Sequence, residues 1–236
     1  MRKFLAIGIL GLAAACSAGA QTGGGAQGQR NFEVGAFQSV SLEGSHDVVV
    51  TVGGAPSVRA EGDQEMLDRL DIRVENGALR IGTERGDRNW FGRSGHVTVY
   101  VTAPTLAAAA IGGSGDMRID RVESSRFAAS IGGSGDMQIG ALRAGQASFS
   151  IAGSGGIRAA GAAESAEISI AGSGDVALGD VQTRRARVSI VGSGDVTLQA
   201  SETVDGSIMG SGDINVRGSA RCSVSKMGSG DLRCGA

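Results

Sequence analysis

Six aspartates recur at one position of a repeated motif: Asp116, Asp136, Asp175, Asp195, Asp213 and Asp231 each close a G-S-G-D. The first Gly of each G-S-G falls at 113, 133, 153, 172, 192, 210 and 228, spacings of 20, 20, 19, 20, 18 and 18. The third copy ends in Gly156 instead of Asp. A column of carboxylates invites two chemistries. Ca²⁺ or another hard cation could bridge neighbouring oxygens. Alternatively, each carboxylate accepts hydrogen bonds from turn N–H groups, as Asp does at corners. The period and the Asp offset differ from those of the Gly/Asp-rich calcium nonapeptides. The hydrogen-bonding role is therefore the expectation, and cation binding the alternative.

A second group of reactive residue types sits in "TERGDRNWFGRSG" (83–95). Arg85, Arg88, Trp90, Phe91 and Arg93 could stack on a sugar or meet an anionic glycan. Trp90 and Phe91 could instead fold back over an open core. Both readings stand. Ser45-His46-Asp47 puts the residue types of a catalytic triad side by side, but a triad needs adjacency in space, not in sequence. "EGSHDV" reads better as a degenerate copy of the G-S-G-D corner. Lys3 and Lys226 are the only lysines, which leaves few bases for chemistry on acidic polysaccharides.

The elements that must hold these residues are strands. Aligned on the first Gly, the position two before carries Ile111, Ile131, Ile151, Ile170, Ile190, Ile208 and then Lys226. Four after stand Met117, Met137, Ile157, Val176, Val196, Ile214 and Leu232; six after stand Ile119, Ile139, Ala159, Leu178, Leu198, Val216 and Cys234. One such unit cannot bury its own apolar face, whereas stacked copies share a core. A unit of 18–20 residues fits one coil of a parallel β-helix, since propeller blades need about twice that. The prediction is an all-β, single-stranded parallel β-helix of about seven regular coils over 105–236, each with a looser return segment. The glycines permit sharp corners and close approach between coils. Lys226 in the Ile column marks the end of the stack. Cys222 and Cys234 share the parity of the core columns and could bridge across the terminal coil; two unpaired thiols are the alternative.

Before the repeat, 32–104 reads as an irregular β segment. Asn76-Gly77 between alternating stretches predicts a type I′ hairpin. "DQEMLDRL" (63–70) has spacing for one short helical turn, and "HVTVYVTAP" reads as another strand. Residues 21–31, "QTGGGAQGQRN", read as a flexible linker. Residues 1–20 have a basic start, an apolar run and a small-residue end, the pattern of a signal peptide. Cleavage after Ala20 gives a soluble form, while Cys16 in "LAAAC" gives a lipid anchor. An exported, oxidising compartment suits a disulfide.

Composition excludes several classes. Forty-one glycines with only 2 prolines and no three-residue period rule out collagen. The net charge of −2 becomes −4 once Arg2 and Lys3 leave, with 20 basic residues against 24 acidic, so no nucleic-acid surface is expected. No cofactor is expected either.

A leader, an F-x-x-V strand, "VTVYVTAPTL" and repeated I-x-G-S-G-D units together resemble the bacterial cell-envelope family of autotransporter-adhesin head domains, or GIN domains. The resemblance spans about 32–234. It implies an envelope β-helical domain without an established enzymatic activity, and brings no catalytic or ligand residues with it. The expected function is thus an exported, non-enzymatic, adhesin-like binding or scaffolding module, its partner a surface glycan or another envelope component. Contact with a membrane is expected only through a lipid on Cys16. The alternative is a polysaccharide lyase or hydrolase on the same fold, which would need an acidic-plus-basic cluster in a groove.

Overall fold

The computed structural model describes residues 26–84 and 95–235. The signal peptide, Cys16 and Arg85, Arg88, Trp90, Phe91 and Arg93 of the 83–95 loop lie outside the described residues. Apart from one turn of helix, the regular structure is β. In chain order the elements are β1 (Gln27–Phe32), β2 (Ser39–Gly44), β3 (Asp47–Val52), β4 (Ser57–Asp63), α1 (Gln64–Leu67), β5 (Leu70–Glu75), β6 (Ala78–Thr83), β7 (Val97–Ala103) and β8 (Ala108–Gly113). The long strands β9 (Met117–Gly133), β10 (Met137–Gly153), β11 (Gly156–Gly172), β12 (Asp175–Gly192) and β13 (Val196–Gly210) follow, then β14 (Ile214–Arg217), β15 (Arg221–Gly228) and β16 (Leu232–Cys234).

The repeat forms a β-solenoid of about six turns. The seven G-S-G corners bound these turns of the expected parallel stack. Each of β9 to β13 runs from one corner to the next, so the return segment is strand, not the loose connection the sequence suggested. Neighbouring turns pair in parallel with like residues in register: Met117↔Met137↔Ile157, and Ile131↔Ile151↔Ile170↔Ile190↔Ile208. These side chains are buried. Each fully buried aliphatic contributes roughly 1.5–3 kcal/mol through the apolar surface it removes from water. The return segment adds a column that the sequence alignment missed: Phe127, Ala147, Ala166, Ala186 and Val204. It was hidden because unequal repeat lengths blur the alignment there. Register shifts between Ile139 and Leu142, Arg158 and Ala160, and Leu178 and Gln182 absorb the 19- and 18-residue spacings.

The corner depends on both glycines of G-S-G. The first has positive φ, from +128° to +146° across the seven copies. A Cβ on either glycine would fall on the carbonyl oxygen of the matching residue one turn earlier. The Ser N–H donates to that same first-Gly oxygen, 2.9 Å for Ser134 to Gly113. Backbone stacked on backbone this closely leaves no room for a side chain.

The N-terminal segment extends the stack out of sequence order. β2 pairs in parallel with both β6 and β8, and β3 with both β7 and β9. Residues 39–52 therefore form a turn held between 78–103 on one side and the first repeat turn on the other. β4 continues from β7 antiparallel, and β1 from β4. The linker expected over 21–31 is corrected from Gln27 on, where β1 begins, while 21–25 lie outside the described residues. Its polar residues form an edge strand through backbone pairing, which needs no apolar alternation. The predicted hairpin is present as β5–β6, with Asn76 at φ 51° and Gly77 at φ 76°. α1 is capped by Asp63, whose Oδ1 accepts from Glu65 N at 3.0 Å.

At the other end, Lys226 pairs with Ile208 and leaves the column exposed. Its Nζ donates to Asp231 Oδ1 at 2.6 Å and to Gly230 O at 3.3 Å. Cys222 and Cys234 form a disulfide across this last turn, in register with Val204 and Val216 of the core. Lysine charge and covalent closure together finish an edge that would otherwise invite strand addition.

Candidate functional site

The corners line one edge of the solenoid, and that edge carries the aspartates. Asp116, Asp136, Asp175, Asp195, Asp213 and Asp231 form a ladder. The carboxylates of all but the last, Asp231, accept from the backbone N–H at the same position of the next turn. Asp116 Oδ1 takes Asp136 N at 2.9 Å, Asp136 Oδ1 takes Gly156 N at 2.7 Å, and Asp175 Oδ1 takes Asp195 N at 2.8 Å. Asp195 and Asp213 do the same for Asp213 N and Asp231 N, at 2.8 and 2.9 Å. The hydrogen-bonding expectation is thus what the fold displays, with one change: the donor belongs to the next turn rather than to the residue's own. Stacked at about 4.8 Å per rung, the carboxylates repel, and each bonded amide offsets part of that repulsion. Among the described residues, no group of three or more His, Cys, Asp or Glu side chains is placed to hold a metal ion.

The ladder begins one turn earlier than the repeat. Gly44 lies opposite Gly113, and Asp47 Oδ1 accepts from Asp116 N at 3.4 Å. Gly44-Ser45-His46-Asp47 is therefore the degenerate corner that the sequence suggested, not a triad. His46 takes the place of the second glycine. Its ring is buried, 3% exposed, and its Nε2 lies 2.9 Å from Thr83 Oγ1. Burial and the nearby His96 push the His46 imidazole below its ordinary pKa, while Asp47 pulls the other way. Asp47 Oδ2 lies 2.9 Å from His96 Nε2. Thr83 and His96 thus both lie at the head of the aspartate edge.

Gly156 interrupts the ladder. It offers no carboxylate to Asp175 N, and a gap opens between Asp136 and Asp175, two rungs or about 10 Å apart. The gap is part of a cavity of about 380 Å³, lined among others by Asp136, Asp175, Arg118, Arg158, Gln138 and Ser154. Arg118, Gln138 and Arg158 are in register on successive turns, two residues beyond the aspartates. All three are exposed, and among the described residues neither arginine takes part in a hydrogen bond or ion pair. Further along the same edge the cations are spoken for: Arg233 lies 3.6 Å from Asp213, and Lys226 2.6 Å from Asp231. The sequence flagged Gly156 as a departure from the motif. Parity alone turns positions 118, 138 and 158 outward, but that the two arginines flank the gap depends on how the turns stack.

A solenoid of short turns with a polar corner edge and a blocked end is the class defined by this fold. A model of the family described as "Putative auto-transporter adhesin, head GIN domain" matches residues 36–220, and the chain belongs to that family. Solved structures share the fold. A "putative adhesin" from Bacteroides fragilis is 22% identical, with a TM-score of 0.79 over 89% of this chain and 97% of that one. A "putative lipid binding protein" from Parabacteroides distasonis is 25% identical, with a TM-score of 0.72 over 90% of this chain and 98% of that one. A "putative adhesin" from Parabacteroides merdae is 18% identical, with a TM-score of 0.69 over 89% and 96%. No curated protein matches the chain.

Proposed function

We propose that the protein is an exported, non-enzymatic, adhesin-like module of the bacterial cell envelope that holds a surface glycan along its corner edge. One observation carries this reading. Each ladder carboxylate of the edge has an oxygen bonded to the stack, except that at Gly156 the ladder opens and polar groups without partners face outward. Family membership and the adhesin names of two structural neighbours support a surface role. Among the described residues no helix is long and apolar enough to cross a membrane. Attachment would therefore come through a lipid on Cys16, or the mature chain would be free after cleavage at Ala20. Mass spectrometry of the mature N-terminus separates the two.

Binding of the purified mature chain to a glycan array and to isolated envelope fractions is the direct test. Retention of at least one glycan class is expected, and no binding to either would leave only a scaffolding role. The polysaccharide-cleaving alternative has one observation in its favour, since Asp136, Asp175, Arg118 and Arg158 are the mixed-charge cluster it requires. Turnover of a uronate polymer by the purified chain would establish that alternative.

A further inference from the structure

Resting on the glycan-binding reading, we infer that the Gly156 gap is a subsite for one acidic sugar, a pyranose bearing a carboxylate. Arg118 and Arg158 flank the gap on the outer face with exposed guanidinium groups and no partners among the described residues. Guanidinium matches a carboxylate in a planar, two-pronged geometry, better than an ammonium does. Asp136 and Asp175 border the gap with carboxylates that have spent one oxygen on an amide. The remaining oxygens accept only, which suits sugar hydroxyls as donors. Gln138 lies between the two arginines and both donates and accepts. The cavity holds a ligand of a few hundred Å³ at most, one ring rather than a chain. Neutral sugars would leave both guanidiniums unmatched, and a bare anion would meet two carboxylates with no hydroxyl to offer them. The arrangement therefore selects an anion and hydroxyl groups on the same ring.

The glycine makes the subsite, so filling it is the test. Gly156→Asp restores the motif of the other turns. A Cβ there meets Asp136 Oδ1 at 2.9 Å and nothing closer. Asp136 holds the same position one turn earlier, its N–H bonded to Asp116 Oδ1 at 2.9 Å. The variant should fold. Titration calorimetry of the full mature chain with trigalacturonate, galactotriose, free galacturonate and acetate reads the outcome. Trigalacturonate and free galacturonate should bind, with galactotriose and acetate about tenfold weaker or more. Gly156→Asp should abolish galacturonate binding while its Tm holds or rises. Arg118→Gln and Arg158→Gln should each weaken it about tenfold with Tm unchanged. Wild-type binding that survives Gly156→Asp would overturn the subsite and leave the glycan-binding reading standing. Equal affinity for acetate or galactotriose would overturn the acidic-sugar assignment. Absence of binding to every saccharide, on the array as well, would remove the glycan-binding reading together with the subsite.

Discussion

The corner at Gly44–Asp47 and the corners of the repeat have the same shape, but they accept different residues. In the repeat, the second glycine is not in a left-handed conformation; it is small because a carbonyl from the turn before lies where its Cβ would be. In the first corner the equivalent position is held by His46. His46 fits there, is buried, and reaches Thr83. The glycine rule of the motif is thus imposed by the turn beneath, not by the local backbone. The same logic separates Gly156 from its equivalents. A Cβ at Gly156 meets only the end of the Asp136 side chain, at 2.9 Å, with no backbone closer than 3.8 Å, so a small shift of that carboxylate should admit aspartate and glycine at 156 reflects the edge, not the stack.

The strongest way to break this comparison is to place alanine at the same position of the two corners. Gly135→Ala drives a Cβ into the carbonyl of Gly115 and should cost about 3 kcal/mol or more, or abolish folding. His46→Ala, at the equivalent position of the first corner, should cost less, since only its packing and one hydrogen bond are lost. Chemical denaturation of both variants checks the order, and a milder Gly135→Ala would sink the steric account. Next in size, Ile151→Ala in the middle of the stack should cost about 3 kcal/mol. Lys226→Ile, in the same column at the end, should leave the monomer as stable but promote association that rises with concentration in sedimentation.

Removing the disulfide with Cys222→Ser should cost about 2–3 kcal/mol for a loop of this size. Hydrogen exchange should quicken in 214–234 and stay slow in 117–192. Acid should act on the first turn. His46 has a lower pKa folded than unfolded, so the unfolded chain takes up its proton first as pH falls below about 6.5. Stability should decline from there until the folded-state pKa is passed, and His46→Gln should flatten that part of the profile. The smallest effect belongs to Asp195→Asn. It keeps an acceptor for Asp213 N and relieves repulsion along the ladder, so a change of about 1 kcal/mol or less is expected.

Much of this was legible without coordinates. The Ile and Met/Ile/Val columns, the Asn76-Gly77 hairpin, the capping Lys226 and the pairing of Cys222 with Cys234 are set by spacing and parity. A repeat forces equivalent residues into equivalent environments, so one aligned column reports one structural role. Outside the repeat this leverage disappears. Nothing in the spacing says that residues 39–52 lie between 78–103 and the first repeat turn, or that β1 starts within a Gly/Gln-rich stretch. The inner column of Phe127, Ala147 and Ala166 was blurred by register shifts.

The amino-acid order by itself determined that this chain stacks, because the same aliphatic positions recur at one turn per repeat and can be buried only against each other. The three-dimensional structure alone decided what the exceptions mean. Whether a side chain fits at a corner, or an arginine faces a gap, depends on the turn above and the turn below. Those neighbours are some twenty residues away in the repeat, and farther still where the first turn slots in out of order.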